Sequence, residues 1–226
     1  MAKRPPSPVA APVADLTAER QARRRERQRT VADVRRALML DAARAAFFEL
    51  GLEGASIREI AKRAGYTPGA IYSYFVSKEE IYGALLGESL ERLNAAVAAA
   101  VAGTAAEERL RTGALAFYGF YREQPRDLDL GFYLFRGMQP RGLTPELNRH
   151  LNSRLRDALA PCQEALRQMG LDEAQALAET TALFAHIVGL LVLSHTGRIR
   201  MFRQATHELF ARYLDGLAAR ARPHAR

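Results

Sequence analysis

The sequence has no tryptophan, a single cysteine (Cys162) and no stretch that alternates apolar and polar residues over strand length. One cysteine excludes an intrachain disulfide framework, and no Cys/His cluster is spaced for zinc. The lack of two-residue periodicity argues against a sheet. No glycine loop of the phosphate-cradling kind is present, and His186 and His195 are nine residues apart, which does not place them on one helical turn as metal ligands. Cys162 follows Pro161 with no histidine pattern nearby, so no nucleophile stands out and no enzyme, metal or cofactor is expected. The longest apolar run, about 182–193, is interrupted by His186 and falls short of the ~20 residues a membrane span needs. The prolines near the N-terminus break up any signal-peptide core. A soluble, cytoplasmic protein with no membrane partner is expected.

What the sequence has in quantity is Ala, Leu, Arg and Glu in helical periods. From about Thr30 onward nearly every segment repeats at i, i+3, i+4, i+7. The predicted class is all-α, with helices near 31–50, 56–64, 67–75, 78–101, 105–123, 127–137, 144–169, 172–195 and 203–221. Ser56 with Glu59, Ser77 with Glu80, and Asp172 with Gln175 have the spacing of helix-capping boxes. Thr67 and Thr144 each precede a proline, the favoured pair at a helix start. Pro161 is expected to kink or split its helix.

The net charge of +8 is unevenly placed. Residues 1–30 hold eight Lys/Arg against three Asp/Glu, while 31–80 hold seven of each. "RRRERQR", residues 23–29, is the centre of the excess. A basic arm suits a polyanion, although a solvated tail is the plainer reading. The chain divides into a basic arm at 1–30, expected to be disordered, a unit at 31–80, and a larger helical part at 81–222.

In the middle unit, Ala43, Ala46, Phe47 and Leu50 form one stripe, and Ile57, Ile60, Ala61 and Ala64 form a second. Gly65 stands where a left-handed helix cap is needed. Thr67-Pro68 then begins a helix too short to persist alone. Ile71, Tyr74 and Phe75 supply its anchoring face, leaving Thr67, Pro68, Gly69, Tyr72 and Ser73 outward. Two helices joined by a glycine turn, the second presenting a small polar surface, make a helix-turn-helix of the kind that enters a DNA major groove.

"GASIREIAKRAGYTPGAIYSYFVSKEEIYGALL" resembles the N-terminal DNA-binding domain of TetR-type transcriptional regulators. A Ser-start helix, an "IA…AG" turn, a "G-x-I-Y-x-Y-F" recognition helix and an "S-K-E-x-I" entry to the next helix follow in the family's order. The likeness covers roughly residues 33–86. It implies a three-helix helix-turn-helix domain followed by a larger helical effector and dimerisation domain. It also implies a homodimer, built through the 172–195 and 203–221 helices, that binds a palindromic operator and answers to an unknown small-molecule effector. In that reading Ser56 and Arg58 lie near the DNA backbone, and Tyr66, Thr67, Pro68, Gly69 and Ser73 meet bases or backbone. Tyr72 and Lys78 match a tyrosine and a lysine that contact phosphate. Pro68 and Ala70 depart from the polar residues common in the family, and Pro68 cannot donate to a base, so readout shifts toward Thr67, Tyr66 and DNA shape.

Further along, Phe117, Tyr118, Tyr121, Phe132, Tyr133 and Phe135, with His186, are candidates to line an effector pocket between helices. Ordinary core packing serves equally for any one of them. The apolar 172–195 helix is expected to be buried on all sides. A sequence-tolerant architectural DNA binder driven by the arm, and a small-molecule-binding module without regulation, are the competing functions.

Overall fold

The computed structural model describes residues 13–132 and 143–222. Among the described residues the secondary structure is helical throughout: α1 (Val13–Gly54), α2 (Ile57–Ala64), α3 (Pro68–Tyr72), α4 (Lys78–Val101), α5 (Ala106–Glu123), α6 (Pro125–Phe132), α7 (Pro145–Gln168), α8 (Glu173–His195) and α9 (Thr206–Ala221), with a short 3₁₀ helix at Arg198–Phe202. The expected 127–137 helix ends its described part at Phe132. Tyr133 and Phe135 lie outside the described residues.

The arm corrects the sequence reading. Residues 13–30 belong to α1, a 42-residue helix that departs from helical geometry only at Gly51 (φ 72°, ψ 168°). Between Val13 and Gly51 the chain holds neither Gly nor Pro. Ala, Arg, Gln and Glu are strong helix formers, so local propensity outweighs the composition that suggested disorder. Pro161 likewise sits inside α7 without dividing it.

The core begins in the second half of α1. Met39, Leu40, Ala43, Ala46 and Phe47 are each at most 2% exposed, and they meet Ile60 and Ala61 of α2, Ile71 of α3, and Ile81, Tyr82 and Leu85 at the head of α4. Burying a large apolar side chain contributes roughly 1.5–3 kcal/mol, so these residues hold the two short helices in place. Phe47 meets Tyr82 edge-on, with ring centroids 6.0 Å apart.

Helix α4 runs on into a second assembly with α5 and α7, and α8 and α9 close its far side. Gly83 and Gly113 permit close helix contact there: a Cβ on Gly83 would lie 2.5 Å from Leu147 Cδ2, and one on Gly113 would lie 3.1 Å from Cys162 Sγ. Cys162 is fully buried, which pushes its thiol up to about 12, far from a reactive thiolate.

Within the single chain, helix α8 is buried on one face only. Ala176, Thr180, Leu183, Ile187, Leu190 and Leu191 are buried, but the opposite face, with Leu177 at 51% exposure, is open. By length and composition this helix could cross a membrane, yet only 33% of its apolar window is buried in the chain. On α9, Phe210, Leu214 and Leu217 already belong to the chain's own core.

Candidate nucleic-acid interface

The turn between α2 and α3 is built from local hydrogen bonds. Ser56 caps α2, its Oγ accepting from Glu59 N–H at 3.2 Å. At the other end Gly65 takes the left-handed conformation (φ 73°, ψ 27°), and Tyr66 N–H donates back to the Ala61 carbonyl at 2.9 Å. An L side chain here would be strained although nothing lies within 4 Å of its Cβ, so conformation alone selects the glycine. Thr67 Oγ1 then accepts from Ala70 N–H at 3.2 Å and Pro68 takes the first helical position. Three residues, Gly65, Tyr66 and Thr67, thus fix the angle between α2 and α3.

Helix α3 is anchored from one side only. Ile71 is fully buried and Phe75, just beyond it, is 2% exposed, while Tyr74 is half-buried. Thr67, Pro68, Gly69, Tyr72 and Ser73 are all exposed, Tyr72 at 57%. Ser56 and Arg58 are exposed on α2, and Tyr66 is half-buried at the turn. Gly69 has no internal reason to lack a side chain, since an added Cβ would meet nothing nearer than Thr67 Oγ1 at 3.9 Å. The Ser73 hydroxyl donates to the Ala70 carbonyl at 2.7 Å, leaving it only acceptor capacity toward an outside group.

Lys78 corrects the sequence reading. Its ammonium does not reach outward but donates to the carbonyls of Leu52 (2.8 Å), Glu53 (3.3 Å) and Ala55 (3.3 Å). The chain leaves helical geometry at Gly51, so these carbonyls lack an α-helical partner and collect the nearest cation. Arg63 has a similar internal role, bridging Glu59 at 2.8 Å and Glu49 at 2.7 Å. The guanidinium beside Glu49 holds that carboxyl below its usual range.

The family model for bacterial regulatory proteins of the tetR family matches residues 39–85. These residues form a TetR-family DNA-binding domain. Among curated relatives, the transcriptional activator FasR of Mycolicibacterium smegmatis is 35% identical over 101 residues, covering 44% of this chain and 46% of FasR. The transcriptional repressor AcnR of Corynebacterium diphtheriae is 38% identical over 69 residues, 30% of this chain and 36% of AcnR. The chain therefore spans less than half the length of these relatives. Among solved structures, FadR of Bacillus subtilis in complex with stearoyl-CoA superposes with a TM-score of 0.58 at 21% identity, covering 80% of this chain and 97% of FadR. At that identity the likeness concerns the fold: a TetR-like helix-turn-helix followed by a helical C-terminal part.

Beyond the TetR-family domain, Tyr118 and Tyr121 border different spaces. Phe117 is fully buried, its ring 5.4 Å from Tyr121 and 6.0 Å from Phe184, and Phe132 lies 5.5 Å from Tyr121. Tyr121 borders a cavity of about 240 Å³ with Leu86, Leu90, Gly131, Asn148, Leu151, Asn152 and Leu155. Tyr118 instead borders an open groove of about 450 Å³ against Ala96 and His207. His186 stacks on Tyr213 at 3.9 Å and belongs to the α8–α9 contact. Sequence reasoning missed Asn148 and Asn152, the two side-chain amides of the 240 Å³ cavity. They lie four residues apart on α7, so an i, i+4 amide pair beside leucines was the available signal.

Proposed function

We propose that the chain is a homodimeric, sequence-specific transcriptional regulator whose affinity for a palindromic operator responds to a small molecule. The observation that carries this reading is α3: a five-residue helix anchored through Ile71 and Phe75 while Thr67, Pro68, Gly69 and Tyr72 stand outward. A helix too short to be stable alone is held there by the core, and its outward side is unused within the chain. Thr67, Tyr66 and Gly69 meet base edges and backbone, while Ser56, Arg58 and Tyr72 meet phosphates; Lys78 supports the domain from within. Residues 31–80 form the DNA-binding unit and 81–222 the effector and dimerisation unit. Both an activator and a repressor occur among the relatives, and repression is the reading we favour. The chain acts in the cytoplasm and performs no catalysis.

The open face of α8 supports the dimer. Leu177, Thr181, Ala182, Ala185 and Gly189 are exposed along one side of a helix otherwise packed, and Met201 (72% exposed) and Phe202 (61%) extend the apolar surface. A second subunit, rather than a bilayer, covers this face, because the opposite face of the same helix is part of a protein core. A two-fold dimer would present two recognition helices to half-sites about one DNA turn, ~34 Å, apart.

The effector occupies the 240 Å³ cavity. Leu86, Leu90, Leu151 and Leu155 suit an apolar body, and Tyr121, Asn148 and Asn152 suit a polar end. The stearoyl-CoA bound to FadR is consistent with an apolar ligand in this fold. Helix α4 lines the cavity and is tied at its head to the DNA-binding domain. Lys78 holds the end of α1, Arg36 and Arg44 reach Glu88 at 3.3 and 3.7 Å, and Arg126 of α6 lies 5.3 Å from the Phe48 ring of α1. A ligand that shifts α4 therefore shifts α3, with a coupling of about 1–3 kcal/mol typical of such systems.

The test is selection of bound fragments from a random duplex pool at fixed salt. A recovered palindrome supports the regulator. Binding without a motif, disappearing as salt rises, supports the architectural alternative.

A further inference from the structure

From Glu19 to Val31, α1 is exposed on every side. Between Glu19 and Leu38 only Ala32 and Arg36 are even half-buried. Eight arginines and three acids occupy these twenty positions. The helix sorts them. Arg20, Arg24, Arg27, Val31, Val34 and Leu38 follow a 4-3-4-3-4 spacing and share an arc of about 80°. Glu19, Glu26 and Asp33 lie about 100–140° round the helix from the centre of that arc. The result is one stripe, basic toward the N-terminus and apolar near the domain, with Val31, Val34 and Leu38 about half exposed at 50, 55 and 49%.

Two further observations show that the stripe is unsatisfied within the chain. Arg36, Arg44, Arg63, Arg92 and Arg154 each have an acidic partner, whereas Arg20, Arg24 and Arg27 make no ion pair among the described residues. Arg20 and Arg24 also stand at i, i+4, where like charges destabilise a helix by roughly 0.2–0.5 kcal/mol. The position of the stripe matters as well. Arg36, about 160° round the helix from the stripe, lies with its guanidinium 5.3 Å from the Phe75 ring, just past the end of α3, and marks where along its axis α1 leaves the domain. Continuing along α1 at 1.5 Å per residue, Arg27 stands ~13 Å and Arg20 ~24 Å beyond that point.

We propose that this extension is a second DNA-binding element, with Arg20, Arg24 and Arg27 contacting backbone phosphates outside the half-site held by α3. The proposal takes its partner, duplex DNA, from the regulator reading above. A second copy of the helix is a poor occupant, because arginines at the stripe positions would face one another across a parallel pair. A lipid surface suits it less, because only three aliphatic side chains and no aromatic one are available to enter a bilayer interface. A polyanion continuous with the DNA already held by α3 matches both the charge and the reach.

The test compares the full chain with R20Q/R24Q/R27Q and with the off-stripe control R25Q/R29Q, glutamine being chosen because it preserves helix propensity. Circular dichroism first verifies equal helix content. Affinity for a mixed-sequence duplex of about 40 base pairs is then measured across a salt series. The stripe variant is expected to lower the slope of log K against log salt by ~2–3 per protomer, and the control by clearly less per charge removed. An unchanged slope in the stripe variant overturns the proposal, as does an equal loss per charge in the control. Sedimentation with anionic phosphatidylserine vesicles is run in parallel, and a stripe-dependent loss of vesicle binding without loss of duplex binding overturns it in favour of lipid. The two readings fail separately: duplex binding that never prefers a site removes the regulator, whereas a wild-type slope in the stripe variant removes only this inference.

Discussion

The two halves of α1 have the same secondary structure for different reasons. From Met39 onward the helix is held by its neighbours, with five side chains at most 2% exposed; from Glu19 to Val31, where every residue is exposed, the helix stands on propensity alone. The contrast recurs across the molecule. Side chains are either taken up by the chain's own packing or left facing outward with nothing in the chain to do. Only the second kind is available to a partner, and helical content does not separate the two.

The contrast breaks most visibly at Phe47. Truncation to Ala removes a ring that is 1% exposed and packed edge-on to Tyr82. The expected loss is about 3–5 kcal/mol, read as a fall in thermal midpoint together with loss of duplex binding. A single substitution between residues 19 and 31 should leave the midpoint within roughly ±0.5 kcal/mol of wild type, since those positions are exposed. A large drop from the exposed half would mean that it is packed after all.

Lys78 sharpens the comparison, because its sequence places it among the outward residues and its hydrogen bonds place it among the inward ones. Lys78→Met removes a cation from three carbonyls. Hydrogen bonds to charged groups contribute about 1.5–3 kcal/mol, and partial exposure reduces that to about 1–2 here. The midpoint should fall by a few degrees while the salt slope of DNA binding is unchanged. A lowered slope with an unchanged midpoint would restore the phosphate-contact role.

Much of this fold could be read from local chemistry. The side chains of Ser56, Thr67, Ser77, Thr144 and Asp172 each accept the expected backbone N–H, because a cap involves only residues three apart. Gly65 is legible for the same reason. What was not legible depends on distant neighbours or on competing tendencies. Lys78 turns inward because α1 ends beside it, a fact absent from residues 77–80. Residues 13–30 are helical because neither Gly nor Pro interrupts them, although the charge pattern matched a disordered tail. Pocket membership was least legible: spacing placed Phe117 and Tyr121 on one helix, but only the packing of α4 and α7 puts Tyr121 at the 240 Å³ cavity beside Asn148.

Gly69 offers the reverse of Lys78. Its replacement by Ala meets no clash and replaces the poorer helix former, so stability should stay level or rise by roughly 0.5–1 kcal/mol. Binding to a selected duplex should nonetheless weaken by roughly tenfold, about 1.4 kcal/mol, if the backbone at 69 approaches DNA closely. Unchanged affinity would show that α3 stands off from the groove at this residue.

The smallest expected effect concerns a packed residue whose polar atom lacks a partner. His186 stacks on Tyr213 at 3.9 Å, and its buried Nε2 has no hydrogen-bond partner among the described residues. Burial lowers its pKa below the ordinary value of about 6.5. Above that value both folded and unfolded chains carry a neutral ring and the group contributes nothing to pH dependence. As pH falls through ~6.5 the unfolded chain takes up the proton first, so stability declines until the folded ring also protonates. Thermal midpoints at roughly pH 7.5 and 5.5 should therefore differ more in the wild type than in His186→Phe, by no more than roughly 3 °C. The comparison between the two proteins matters more than either curve, because every other titrating group is present in both and cancels. Equal pH dependence in the two would mean that the His186 ring reaches solvent or a partner and belongs with the outward-facing groups.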